Sequence, residues 1–292
     1  MVEPNSTFDS SSPAEGEYYN LLVQGFSEGH LYLKRDAPAA LAHLANPYDP
    51  IANAWYVPDI GDISYYKGRL YLYFGVTPAL MLFWPYHALT GDYLSEASAV
   101  AILFAIGFAA FLGLARAICR RYFSESRVWI LTGGVVVLGL ITGLTFSGDF
   151  YDVAIIGGFT FAMLALFAIW GALHSEPKRG AVLLSLASLA YGLAVASRPS
   201  LLFGGIILSI PVVQIWRESA GRGSRWPTLI SLAAALVPIT LIGLGLMLYN
   251  DLRFGSPFEF GWRYQLNGVF DQKTAHQFSL RYFWLGAFTH CS

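Results

Sequence analysis

The chain has two regimes of polar and apolar positions. Up to residue 69, short apolar clusters alternate with Pro, Gly and charged residues. From Ala97 to Tyr249, long apolar runs dominate. Crossing about 30 Å of hydrocarbon takes about 20 apolar residues in a helix. Six segments approach or meet that length: Ala97–Cys119, Val128–Phe146, Val153–Leu173, Ala181–Ser197, Leu201–Trp216 and Thr228–Tyr249. The fourth and fifth are short and flank "SRPS", which suggests a tight helical hairpin. A further stretch, Leu70–Leu89, contains Gly75, Pro78 and Pro85. This stretch either spans, which would put the amino-terminal segment in the cytoplasm, or lies along the interface; proline removes a helical hydrogen bond and clashes with the preceding turn, which favours a broken interfacial element.

Ahead of it, "SSPAEGEYYNLLVQGFSEG" has the signals of one amphipathic helix. Ser12-Pro13-Ala14-Glu15 fits a capping box with Pro in the first turn, and Gly29 is a natural stop. Tyr19, Leu22, Val23 and Phe26 form an apolar face, with Glu17, Asn20, Gln24 and Ser27 on the other. Glu15 reads as a cap, and Glu17 as a first-turn acid favoured by the helix dipole or as a functional acid. The following residues up to Gly75 are broken by Pro47, Pro50, Pro58, Gly61 and Gly68 into an ordered surface loop, with Asp59 and Asp62 as turn formers.

Composition agrees with the long runs. Of 292 residues, 55% are apolar and only 13% charged, with mean hydropathy +0.49. Soluble domains carry about 25% charged residues. A net charge of -1 gives no electrostatic footprint for nucleic acid. Cys119 and Cys291 lie far apart, and the six histidines form no short-range pair, so neither a disulfide nor a zinc site is expected.

Charge then changes the picture by giving the spans a direction. Alternate loops carry Arg116, Arg120, Arg121 and Arg127; Lys178 and Arg179; and Arg217, Arg222 and Arg225. The opposite short loops, "GDYLSE", "SGDFYD" and "SRPS", carry only Arg198. By the positive-inside rule the basic loops are cytoplasmic. With Leu70–Leu89 lying on the membrane, residues 1–96 are then extracytoplasmic. So is the tail, residues 250–292, while residues 97–249 form the bundle. The expected fold is an all-α polytopic transmembrane bundle of about six spans.

Several charges at the acidic side invite chemistry. Asp149 and Asp152, spaced i, i+3, are either solvated loop acids or groups that position a substrate or a divalent cation. Arg198 runs against the charge trend. It is either a snorkelling side chain or a forked donor to a phosphate. Arg253, Glu259 and Arg263 in the tail read as loop charges paired with one another, the two arginines also as weaker phosphate ligands.

The order of these parts resembles the GT-C superfamily of membrane glycosyltransferases, in particular the protein mannosyltransferase and lipid A aminoarabinose transferase types. The resemblance rests on "GEYYNLLVQGF" followed by a turn-rich loop and an aromatic-proline segment ending "LTG". A span ending "RRYF", the acidic "SGDFYD", "GLAVASRPS" and "YNDLRFGSPFEFGWRYQL" complete it. It implies transfer of a sugar from a polyprenyl-phosphate donor to an extracytoplasmic lipid, glycan or protein. It implies Glu17 as catalytic base with Glu15 as second choice, and Arg198 as phosphate ligand. The family pattern also includes an upstream span and further downstream spans, so the chain is expected to be a fragment. Membrane lipids and the polyprenyl-linked sugar are the expected partners. A transporter or lipid-carrier flippase is the competing class, yet the middles of the spans lack Asp, Glu, Lys and Arg and no internal repeat is visible. A non-catalytic membrane module is the third reading.

Overall fold

A computed structural model describes residues 13–56, 60, 62–73, 75–143, 145–220 and 226–267. The expected roles of Ser12, Asp59, Arg222, Arg225, His276, His290 and Cys291 fall outside these residues. The chain forms two compact units. One comprises Met1–Lys34 and Phe74–Phe258, the other Arg35–Tyr73 and Glu259–Ser292.

The larger unit is the helical bundle. Its helices are α1 (Tyr18–Ser27), α2 (Trp84–Thr90), α3 (Glu96–Tyr122), α4 (Glu125–Gly143), α5 (Phe150–Leu173), α6 (Pro177–Ser197), α7 (Ser209–Ala220) and α8 (Trp226–Phe254). A ten-residue 3-10 segment, Pro199–Leu208, leads into α7. Among the described residues, five helical stretches are long and apolar enough to cross a membrane: α3, α5, α6, Pro199–Ala220 and α8. A shorter apolar stretch runs over Arg127–Gly143 in α4. The protein is therefore an all-α, multi-pass membrane protein, and each of the six sequence segments coincides with one of these elements.

Small residues set the packing. Gly107 of α3 lies against Thr160 of α5, whose hydroxyl donates to the Leu103 carbonyl at 2.7 Å. Gly148, just before α5, meets Ala97 at the start of α3. These pairs run in the same order, so α3 and α5 are parallel. Gly171 meets Leu183 while Gly157 meets Ser197, which makes α5 and α6 antiparallel. The core where α5, α6, α7 and α8 meet contains Ala165, Ile169, Leu184, Ala187, Leu208 and Ala235. Tyr191 of α6 donates to the Leu201 carbonyl at 2.9 Å, which closes the expected hairpin around "SRPS".

Pro238 interrupts α8. Its missing N–H and its ring weaken the local ladder. The buried Ser188 hydroxyl donates to the Ala235 carbonyl at 2.6 Å and accepts from Ile239 N–H at 3.1 Å. One side chain thus satisfies both ends of the helical step beside the proline.

Leu70–Leu89 is broken, as its prolines require. Residues 77–90 are helical, with a π turn at Ala79–Phe83 before α2. The π turn precedes Pro85 and relieves the clash of its ring with the preceding turn. This helix is about 21 Å long at 1.5 Å per residue, too short to span about 30 Å.

In the smaller unit, Ser64–Tyr66 (β1) and Arg69–Tyr71 (β2) form an antiparallel hairpin. Lys67 and Gly68 both have positive φ, 48° and 80°, as a two-residue primed turn demands. The sequence reading had a surface loop here. Single bridges from Asp36 to Arg69 and from Ser64 to Gln265 flank the hairpin. Tyr264 packs on Tyr66 with centroids 4.5 Å apart.

Candidate functional site

Parallel α3 and α5, with antiparallel α6, give the bundle two chemically different ends. Glu96, Asp149 and Arg198 stand at one; Arg120, Arg121, Lys178 and Arg179 stand at the other. The site expected from the sequence lies at the first.

α1 begins five residues later than the capping-box pattern implies. Pro13–Gly16 is a separate 3-10 turn, and Glu17 is the N-cap of α1 with φ -73° and ψ 149°. The Glu17 carbonyl accepts from Leu21 N–H at 2.9 Å, but its side chain makes no cap bond to its own helix. Its Oε2 accepts instead from the backbone N–H of Glu96 at 2.6 Å. The Glu96 carboxylate returns the bond, accepting from Tyr19 N–H at 3.3 Å. Each glutamate therefore caps the other's helix, and each helix start offers orphan N–H groups to a carboxylate. Tyr19 stacks on Phe83 at 5.1 Å, and Tyr18 meets Phe150 of α5 edge-on at 4.9 Å.

Burial in this corner raises the Glu17 carboxyl above its ordinary value of 4.5, and the hydrogen bond from Glu96 works against that shift. Glu96 is only 6% exposed. In the sequence its loop, GDYLSE, stands out only for lacking basic residues. The available signal was its place directly ahead of the first span, after Ser95, which caps α3 through Ser98 N–H.

The polar side of α1 is buried too. Asn20 donates to the carbonyls of Ala14 and Leu94, both at 2.7 Å, and Gln24 donates to the Glu15 carbonyl at 2.9 Å. The 3-10 turn and the loop before α3 wrap that face. Glu15 lies in the 3-10 turn ahead of α1 and contributes its backbone to this wrapping. Gly29, with φ 79°, stops the helix as expected.

Asp149 is the N-cap of α5, and Asp152 reaches back to the residue before it. Asp149 Oδ1 accepts from Asp152 N–H at 3.0 Å, and Asp152 Oδ2 accepts from Gly148 N–H at 2.9 Å. Ser147 donates to both carboxylates. Their i, i+3 spacing thus serves the helix start. Among the described residues no three His, Cys, Asp or Glu side chains come together to hold a metal ion.

Arg198 is the break between α6 and the 3-10 segment, with extended φ -140° and ψ 104°. Its stem lies against Gly158 of α5. That is nine residues, about 13 Å along the helix, from Asp149. Among the described residues its guanidinium has no hydrogen-bond or ion-pair partner.

Arg253 departs from the sequence reading. It is not a loop charge but a residue of α8, 4% exposed. It donates to Asn250 Oδ1 at 2.8 Å and lies 3.9 Å over the Tyr249 ring. α8 simply continues past Tyr249, and the aromatic ring covers the cation. Arg263 and Glu259 belong to the smaller unit and do pair, at 3.7 Å.

An apolar groove of about 510 Å³ opens in the larger unit. Phe26, Leu80, Trp84, Leu193, Leu246 and Tyr249 are among its walls. One edge is fixed by a close backbone crossing: Gly75 N–H donates to the Ser197 carbonyl at 3.3 Å, and a Cβ on Gly75 would collide with the Ala196 carbonyl. Thr77 ties the same segment to α6, donating to the Leu193 carbonyl at 3.0 Å. Compared with protein-family models, curated proteins and solved structures, the chain shows no match to any of them.

Proposed function

We propose that the protein is a GT-C-like glycosyltransferase, using a polyprenyl-phosphate sugar to glycosylate an acceptor on the extracytoplasmic side, where its amino-terminal segment lies. The observation that supports this reading is that one end of the bundle carries a half-buried carboxyl and an arginine with no partner among the described residues, while the walls of an apolar groove reach Ala196, two residues before that arginine. Glu17 takes the proton of the acceptor hydroxyl. The acceptor oxygen attacks the anomeric carbon, the bond from that carbon to the phosphate oxygen breaks, and polyprenyl phosphate leaves. Arg198 stabilises the departing phosphate by charge-assisted hydrogen bonds. The groove holds part of the isoprenoid chain.

The orientation follows from the basic end facing the cytoplasm. A transporter would need ionisable groups within its spans. Here the acids sit at helix starts, which favours chemistry at the interface.

The test is transfer of a radiolabelled sugar from polyprenyl phosphate in membranes that contain the protein. Glu17→Gln keeps an acceptor for the Glu96 N–H and loses the base. Transfer should fall about 10²–10⁴-fold with folding unchanged. Arg198→Ala should raise the KM for donor. Full transfer by Glu17→Gln would remove Glu17 as the base.

A further inference from the structure

The opposite end of the bundle has its own chemistry. Between Arg116 and Arg127 the sequence RAICRRYFSESR holds four arginines and one glutamate, a net charge of +3. The other basic turns are weaker: HSEPKRG totals +1 and WRESAGRGSRW +2. The four arginines sit on the last turns of α3 and the first turn of α4. Arg116 and Arg120 are one helical turn apart and share a face. The Arg116 guanidinium lies 4.4 Å over the ring of Trp129 on α4, which turns that face toward α4.

Arg120, Arg121 and Arg127 are exposed, and among the described side chains, which leave out Glu125, none of the four forms an ion pair. Tyr122 and Trp129 are exposed at the same level, 68% and 59%. Amphipathic rings of this kind settle at the headgroup layer of a bilayer. The guanidinium groups are therefore held at headgroup depth, where a forked donor finds phosphate oxygens.

We propose that the α3–α4 turn is a binding site for anionic phospholipid, with Arg116, Arg120, Arg121 and Arg127 recognising the headgroup phosphodiester. Basic turns flanking membrane helices bind such headgroups through charge, and this turn adds a fixed guanidinium and an aromatic platform. The inference does not depend on glycosyl transfer.

The helix dipole offers a different account of Arg120 and Arg121, because cations stabilise a helix C-terminus. Native mass spectrometry of the detergent-purified full chain separates the two. The probes are palmitoyl-oleoyl phosphatidylglycerol and phosphatidylcholine. Phosphatidylglycerol should be retained preferentially. Replacing Arg120 and Arg121 by Gln should weaken retention about fivefold for each arginine removed. Lysine at both positions preserves charge and should retain most of the binding. The pair K178Q and R179Q removes two charges from another turn and should leave retention unchanged. Equal retention of both lipids, an equal loss in the Lys178/Arg179 variant, a loss with lysine as deep as with glutamine, or displacement by millimolar inorganic phosphate would each overturn the proposal.

Discussion

The two ends of the bundle are built from the same helices and treat charge in opposite ways. At one end the acids bond to backbone. Glu17 and Glu96 cap each other's helices, while Asp149 and Asp152 close the start of α5. At the other, the arginines of the α3–α4 turn find no acid among the described side chains, which leave out Glu125, and one rests on an indole ring. Charges that satisfy helix starts are part of the fold, because each occupies an N–H group that would otherwise be orphaned. Charges left at the surface of a membrane-spanning bundle face whatever surrounds it. The acidic end should therefore be intolerant of substitution and the basic end tolerant.

The pH dependence of transfer is the sharpest test of that contrast. A base works only when ionised, and burial holds the Glu17 carboxyl above 4.5. The acid limb should lie above the ordinary carboxylate range, with the rate falling about tenfold per unit below its midpoint. For stability the same shift has the opposite sign. The raised folded pKa favours the fold at pH below the ordinary value, and that contribution is lost as pH rises through the folded value. A limb at the ordinary position would mean that Glu17 is not the titrating base.

Gly75→Val comes next, because its side chain has no room beside the Ala196 carbonyl. A loss of about 1–3 kcal/mol is expected from overpacking, read as a fall in Tm. Asp149→Ala removes a cap and should lose about 1 kcal/mol, with Asp149→Asn keeping most of it. The smallest effect belongs to the basic end. Arg116→Ala removes one cation–π contact, worth about 0.5–1 kcal/mol at an exposed site. A larger drop for Arg116→Ala than for Asp149→Ala would break the comparison.

The spans were legible because apolar runs and interrupting prolines are local signals. The six expected segments, the broken Leu70–Leu89 stretch and the stop at Gly29 all follow from neighbouring residues. The hairpin at Lys67-Gly68 escaped because Lys at the first primed-turn position is an uncommon choice beside Asn or Asp. Of the candidate site, the residue types were legible and their partners were not. Glu17 pairs with a residue 79 positions away, and no periodicity encodes that. Arg253 was misplaced because the end of a helix that merges into a polar segment has no sharp local mark.

The Gly75 crossing bears on the order in which the chain assembles. Its partner at Ser197 is 122 positions further on, Thr77 reaches to Leu193, and the Phe26 ring meets Tyr249 at 6.5 Å. Such distant contacts form late, after nearer ones have closed. The segment carrying Glu17 leaves the ribosome before the helices that hold it. It can reach its final place only after α6 and α8 have entered the bilayer, so the Glu17 carboxyl is among the first parts made and the last assembled.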